Sequence, residues 1–508
     1  MTFNEDHVYG LIIVTVVMVL NYAVVRRKAL KNASKNVRDR LDAVLLWWSK
    51  RDAFTLRDLL NGGVAIFGRT GSGKTSSSGK ALAKAIVGHP GSGGLILAAK
   101  PEDRQMWESI FRAAGRANDL LVFSPDHPLR FNFLDFENLT GGGHTRNITR
   151  CITVIGETLR SSDTAAGENA DFWQREQERM IHNAVEVVKQ ATGKVSAPAL
   201  QAFITTAAMH PSVIGTAEWQ ARFHNQCLKA AYERQKSQTE QHDFDMARDY
   251  WLSEFPNMAD KTRSSIMTGV MGILHTFNTG TVRELVSATT NVTPVEMFRG
   301  KWVLVDMSPA EYGDIGNFVA AGWKYLTQKM VLRRHAIESS NPVCIWVDEA
   351  QMYVNSHDSH YLAQCRSHRG CMVYLTQSLH SYYSALKGET GKHQADGLLT
   401  NFHHKVFHAL GDVQTAEWAS GLIGKTLTTF CGGSMGPQDS VMDELCGRGR
   451  FTGSFSQHYE KILQDNVFLN GLRTGGKANG LLCDAIVVRS GEPFANGQNW
   501  LMTSFSQK

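Results

Sequence analysis

"GVAIFGRTGSGKTSSSGKALAKAIVG", residues 63–88, is the stretch on which the fold turns. Val64 to Phe67 form an apolar run without a polar break, the pattern of a short strand buried on both faces. It leads straight into Gly68, Arg69, Thr70, Gly71, Ser72, Gly73, Lys74, Thr75 and Ser76, which satisfy the spacing G-x-x-x-x-G-K-[ST]. Glycines there let backbone N–H groups converge on phosphate oxygens, and the following helix points its positive end at them. Leu82, Ala85 and Ile86 give that helix an apolar stripe, and Gly88 stops it. Lys74 is expected to reach the terminal phosphates and Thr75 to hold Mg²⁺. Such a loop alone is compatible with kinases, GTPases, transporters, helicases and DNA pumps, so the rest of the chain has to discriminate.

Hydrolysis of a nucleoside triphosphate also needs carboxylates, and "PVCIWVDEAQMYV", residues 342–354, places two of them at the end of an apolar run. Asp348 is expected to bind Mg²⁺ and Glu349 to orient and activate the attacking water. The tips of two adjacent strands, one carrying Lys74 and the other this acidic couple, are then expected to converge on one triphosphate. A further run, "GCMVYLTQS", residues 370–378, ends in Gln377, a candidate sensor of the terminal phosphate whose plainer alternative is a strand-end cap. "GGLILAAK", "DLLVFSPD", "KWVLVDMSP" and "HHKVFHAL" add short buried strands, most of them separated by helical segments. The expected fold class is α/β, a RecA-like P-loop parallel sheet covered on both faces.

At 508 residues the chain exceeds one ordinary core, so two domains or one domain with a large insertion is expected. A net charge of +5 is too small to argue for nucleic acid, so any such surface would be local. The 8 cysteines are scattered without a C-x-x-C and read as reduced core thiols. His357 with His360, and His403 with His404, lack partners at metal-ligand spacing. Residues 8–25, "VYGLIIVTVVMVLNYAVV", form an uncharged run that at ~1.5 Å per residue just spans a ~30 Å hydrocarbon core. Glu5 and Asp6 precede it and Arg26, Arg27, Lys28 and Lys31 follow, unlike a cleaved signal. The expectation is an N-terminal transmembrane helix, single-pass in the cytoplasmic (inner) membrane, with the bulk of the chain in the cytoplasm. Residues 35–60 read as an amphipathic connector whose Trp47 and Trp48 lie at the membrane interface or pack on the next domain.

Guanine-selective Asn-Lys-x-Asp and an LSGGQ-like signature are both absent, which disfavours GTPases and ABC transporters. Roughly 270 residues separate Lys74 from Asp348, more than a compact core needs. Within that span residues 161–292 carry helix-like apolar spacing and few strand signals, an all-helical inserted domain. The expected division is 1–34 anchor, 35–160 first part of the nucleotide-binding domain, 161–292 insertion and 293–508 second part.

The ordered set of "GRTGSGKT", "LILAAKPED", "RFNFLD", the helical insertion, "VDEAQ", "CRSHRGCMVYLTQSLHSY" and "GLLCDAIVVRSGEPF" resembles the type IV coupling proteins of bacterial conjugation. These form the TraG/TraD group within the FtsK/HerA-like superfamily of P-loop DNA translocases. "AAKPED" departs from the family's Asp-Pro-Lys-Gly-Glu, with Lys100 and Glu102 in its place, and one apolar N-terminal run stands where the family has two. The resemblance implies an ATPase that uses ATP and Mg²⁺, with Gln377 as sensor and Arg366 as the finger reaching a neighbouring subunit's nucleotide, Arg369 being the rival. It further implies a homo-hexamer that feeds relaxase-bound single-stranded DNA toward a type IV secretion channel. An FtsK/HerA-like double-stranded DNA pump and an ATP-binding cargo receptor are the alternatives. Residues 378–393, with Tyr382, Tyr383, Lys387 and Lys392, are a candidate pore or surface loop, a helix with a solvated face being the stronger reading.

Overall fold

A computed structural model describes residues 41–159, 170–337, 340–386, 388–435 and 451–507. The apolar run 8–25, Lys387 and Cys446 lie outside the described residues; among those described, no helix is long and apolar enough to cross a membrane. In chain order the strands are β1 (Val44–Ser49), β2 (Asp52–Thr55), β3 (Val64–Phe67), β4 (Gly93–Leu97), β5 (Leu120–Phe123), β6 (Trp302–Val305) and β7 (Val343–Val347). They continue with β8 (Gly370–Thr376), β9 (His404–Phe407), β10 (Lys425–Met435), β11 (Phe451–Lys461), β12 (Leu482–Arg489) and β13 (Trp500–Ser506).

Nine of them build one sheet in the order β13-β12-β9-β3-β8-β7-β4-β6-β5. From β9 to β5 every pairing is parallel, and β12 and β13 extend that edge antiparallel. Side chains alternate between two apolar layers: Ala65, Phe67, Ile345, Val347, Tyr374 and Phe407 face one, Val64, Ile66, Trp346, Val373 and Val406 the other. Burial on both faces is why these strands read as uninterrupted apolar runs. The helices Lys80–Gly88 and Asp103–Ala113 cover the second layer through Leu82, Ile86, Trp107 and Phe111. The first layer is covered by Thr145–Gly156, Asp314–Arg333 and further helices; from Ala170 to Ala288 every element is helical.

Three expectations need correction. First, β3 and β7 are not neighbours, because β8 pairs with both and lies between them. Second, the sheet is parallel only in part, since β12 and β13 reverse direction. Third, residues 41–60 are no amphipathic connector but the β1–β2 hairpin and a short helix, Leu56–Leu60. Consecutive strand residues face opposite ways, so Trp48 is buried against Phe54 and Phe505 while Trp47 is exposed. Leu379–Leu386 and Gly388–Thr400 are helices, in line with the stronger reading of residues 378–393, and Tyr382 is fully buried. The long β10–β11 hairpin, with Phe455 and Tyr459 exposed, was not foreseen at all. The seven described cysteines are free thiols, and all but Cys431 are buried.

Gly63 leads into β3 with φ at +78°, and a Cβ there would overlap the Met372 carbonyl oxygen of β8. Gly63→Ala therefore combines left-handed strain with a backbone clash, and we expect a loss of at least ~2 kcal/mol in urea unfolding. His224, His404 and His408 are fully buried, and desolvation holds their imidazoles neutral: His224 and His408 at about 4, His404 well below its ordinary 6.5. As pH falls below the unfolded value of about 6.5, the unfolded chain takes up protons that the folded chain refuses. Stability contributed by these groups is thus present above that pH and lost toward pH 4. Urea midpoints measured from pH 7.5 to 4.5 are expected to fall steadily, and less steeply in His408→Gln.

Candidate active site

The carboxyl ends of β3, β8 and β7 meet at one edge of the sheet, where β9 and β4 flank them. The loop after β3 is bonded to both neighbouring strands: Gly68 N–H donates to Thr376 O at 3.2 Å and Arg69 N–H to Ala409 O at 2.9 Å. Gly73 adopts φ +84° with its Cα face against the Cys483 sulfur, so the loop has no room for a side chain there. From Thr75 to Gly79 the helix opens as a wider turn, and Ser77 Oγ donates to Gly73 O at 2.7 Å. Beneath that turn Ser78 Oγ bonds His408 Nε2 at 2.7 Å, and His408 Nδ1 bonds Asp484 O at 2.9 Å. Asp484 in turn is held by Arg473 and Ser504, and those hydrogen bonds, Arg473 first, keep its carboxyl down at about 2. Gln507 closes the flank, donating to Ser76 Oγ at 2.8 Å.

Into this edge β7 brings the acidic couple. Thr75 Oγ1 donates to Asp348 Oδ2 at 2.9 Å, and Lys74 Nζ lies 3.4 Å from Glu349 Oε1. All of the expected phosphate-loop and acidic residues are thus brought together across the intervening β8. Burial pushes the Asp348 carboxyl up, against the opposing pull of Lys74. Glu349 is also pushed up by burial, but a hydrogen bond from Gln351, the Lys74 charge and a bond from Gln377 outweigh it, so its carboxyl sits below the ordinary range. Its backbone is left-handed, φ 47°, with its N–H donating to Asp348 Oδ1 at 2.8 Å. That conformation is rare for a residue with a side chain and marks a position held by its surroundings.

Gln377 joins the same network, donating to Glu349 Oε2 at 3.3 Å and accepting from Thr70 Oγ1 at 3.3 Å. Gln351 was quoted within "VDEAQ" but given no role; its amide donates to Glu349 Oε2 at 2.8 Å and accepts from Thr376 Oγ1 at 2.9 Å. The signal available was an amide two residues beyond the acid. Lys100 lies 3.8 Å from Glu349 Oε1, whereas Glu102 is exposed on the loop after β4. Asp103, also overlooked, accepts from Ala99 N–H and Lys100 N–H, and burial raises its carboxyl to about 6.

Arg366 is not at this edge. It is exposed on the turn Cys365–His368 before β8, seven strand residues from Gln377, or ~23 Å at 3.3 Å per residue. Arg57 and Arg369 share its cavity of about 540 Å³. Arg366 therefore cannot serve the phosphate loop of its own chain.

Residues 342–445 match the family model described as the TraM recognition site of TraD and TraG. Among curated proteins no relative matches the chain. Among solved structures the chain is similar to the bacterial conjugative coupling protein TrwBdeltaN70 in its unbound form, at 14% identity and a TM-score of 0.59, covering 92% of each chain. TrwB in complex with ADP and Mg²⁺ gives the same identity and TM-score over 94% of this chain and 92% of that one. TrwB with a non-hydrolysable ATP analogue gives 0.58 over the same shares. At this identity the likeness is one of fold. The family match spans residues 342–445, and the likeness of fold to the coupling protein TrwB extends over most of the chain.

Proposed function

We propose that the chain is an ATPase that drives DNA through conjugative transfer, and that one observation carries this: Lys74, Thr75, Asp348 and Glu349 converge within hydrogen-bond or ion-pair distance at the mouth of a glycine loop. The residues fit Mg²⁺ and a triphosphate. Thr75 Oγ1 and Asp348 Oδ2 already face each other as a hydroxyl and carboxylate pair, the buried Ser72 Oγ has no hydrogen-bond partner among the described residues, and Lys74 rests on a carboxylate that a phosphate can replace. Mg²⁺, when bound, supplies charge neutralisation and orients the β- and γ-phosphates. Lys74 holds the terminal phosphates, the Gly68–Ser76 loop donates its N–H groups to the phosphate oxygens, and Thr75 with Asp348 holds the metal. Glu349 accepts the proton of the attacking water. Gln351 and Gln377 position its carboxylate, and Gln377, tied to Thr70, is placed to report on the state of the loop.

The domain division read from the sequence belongs to this proposal: an anchor at 1–34, a sheet domain at 35–160 and 293–508, and a helical insertion between. So does assembly. An exposed Arg366 on the opposite sheet edge suits a homo-hexamer in which each subunit completes its neighbour's site, because its charge then stabilises the transition state only after subunits meet. Mixing Arg366→Ala with Lys74→Ala subunits is expected to restore part of the hydrolysis that each variant lacks alone, since some interfaces pair an intact loop with an intact arginine. A mixture as inactive as its components would remove the role in trans.

The membrane anchor rests on the apolar run 8–25 and its flanking charges, the relaxase, channel and single-stranded DNA partners are taken over from the resemblance, and the complexes of TrwB with ADP and Mg²⁺ and with an ATP analogue support the choice of ATP with Mg²⁺. Steady-state hydrolysis by the full chain, with and without single- or double-stranded DNA, tests the motor. Stimulation by single strands is expected. Stimulation by duplex alone favours the FtsK/HerA-like pump, and a rate indifferent to DNA under all assembly conditions favours the cargo receptor.

A further inference from the structure

The helices Leu379–Leu386, Gly388–Thr400 and Val413–Ile423 cover the first apolar face of the sheet beside β9, yet they leave a cavity of about 560 Å³. One of its lining residues is Lys405, in the middle of β9 and paired in register with Ala65 of β3. The side chain is 3% exposed. Its ammonium donates to Phe402 O at 2.6 Å, and among the described residues no carboxylate pairs with it. A buried ammonium that makes one hydrogen bond among the described residues is costly, and the cost falls when an anion completes its coordination.

The rest of the cavity is built for more than an anion. Lys392 lines it with its Nζ 5.8 Å from the Tyr383 ring centre, and Tyr383 is tethered by donating to Asp396 Oδ1 at 3.0 Å. Trp418 lines it too. Phe67 and Phe407 fix that indole edge-on, at 5.4 and 5.6 Å between ring centres, so its orientation is set without a ligand. Asp396 and Glu417 add two exposed carboxylates, acceptors for ring N–H or amino groups. Two cations, two aromatic rings and two acceptors around this volume match a phosphate carried on an aromatic base, in the size range of small-ligand sites.

We propose that this cavity is a second nucleotide-binding site, distinct from the glycine loop, in which Lys405 and Lys392 take the phosphate and Trp418 and Tyr383 hold the base. The ligand is either a free nucleotide or one nucleotide of a single strand. The proposal does not rest on the motor reading, because none of these residues belongs to the hydrolytic site.

Calorimetric titration of the full chain carrying Lys74→Ala, which silences the glycine loop, tests it. We expect dTMP to bind one per chain, with thymidine and inorganic phosphate at least about tenfold weaker. Lys405→Met removes the charge at nearly constant volume and is expected to weaken dTMP at least about tenfold, with the melting temperature held or raised. Lys405→Arg is expected to retain binding. Should Lys405→Met fail to fold, Lys392→Met, at an exposed position, carries the test and is expected to weaken binding several-fold. Oligothymidylate that binds more tightly than dTMP with the same lysine dependence assigns the site to a strand; tighter dTMP assigns it to free nucleotide. No binding of either, binding unchanged by both lysine variants, or phosphate alone as tight as dTMP would each overturn the proposal.

Discussion

Glu349→Gln is expected to lower ATP hydrolysis by at least ~100-fold while ATP binding persists. In the proposed hydrolysis this carboxylate accepts a proton from water: the residue is mostly buried, left-handed in its backbone, and held by Gln351 and Gln377 on one oxygen and Lys74 on the other. An amide of the same shape keeps the packing and cannot accept that proton. It also removes the negative partner of Lys74, so affinity for ATP is expected to hold or rise. Rapid filtration with labelled ATP beside phosphate release separates the two effects. A variant that hydrolyses at the parental rate would dismiss Glu349 as the base. Gln351→Ala, which releases one of its positioning bonds, is expected to cost less, on the order of tenfold, and to do so in the turnover rate rather than in ATP affinity.

The second large effect is on stability. Lys324 and Asp358 form an ion pair with both side chains fully buried, at 2.8 Å, between the Asp314–Arg333 helix and the helix His357–Gln364 that follows the acidic loop. Lys324 also donates to Tyr353 O, while Asp358 accepts from Gln328 Nε2, Tyr374 Oη and Asn355 N–H. Every partner that satisfies these charges is therefore in place, and removing one side strands the other in an apolar layer. Asp358→Ala is expected to destabilise the chain by about 3–5 kcal/mol. The double variant Lys324→Met, Asp358→Leu is expected to recover most of that loss, because neither charge then remains buried. Urea unfolding of the single and double variants measures this. Equal losses in both would mean that packing, not stranded charge, sets the cost. The same network reaches the loop that carries Glu349, so the double variant is also expected to fold yet hydrolyse more slowly.

What could be read in the sequence was what local chemistry marks. Val64 to Phe67 running into the G-x-x-x-x-G-K-T spacing reads as a strand followed by a glycine loop, and Val343 to Val347 ending in Asp348 reads as a buried strand with a carboxylate at its end. The order of strands was less accessible. Nothing in residues 370–376 announces that β8 inserts between β3 and β7, since pairing depends on crossovers rather than on the strand's own residues. The hairpin β10–β11 escaped notice because both of its faces are exposed. Its Thr, Gly, Ser and Gln residues show no alternation against a core. The β1–β2 hairpin was read as part of an amphipathic connector because two adjacent tryptophans fix no periodicity over so short a stretch. Within the site, Gln351 and His408 act through other side chains, and such positioning roles carry no spacing rule of their own.

The claim beneath all of this is that Thr75 and Asp348 hold one metal together with the nucleotide. Electron paramagnetic resonance of Mn²⁺ added to the full chain with a non-hydrolysable ATP analogue reads that directly. The account predicts one nucleotide-dependent Mn²⁺ per site with coupling to phosphorus, lost on Asp348→Asn. Mn²⁺ that binds without nucleotide, or a phosphorus coupling untouched by Asp348→Asn, would contradict it.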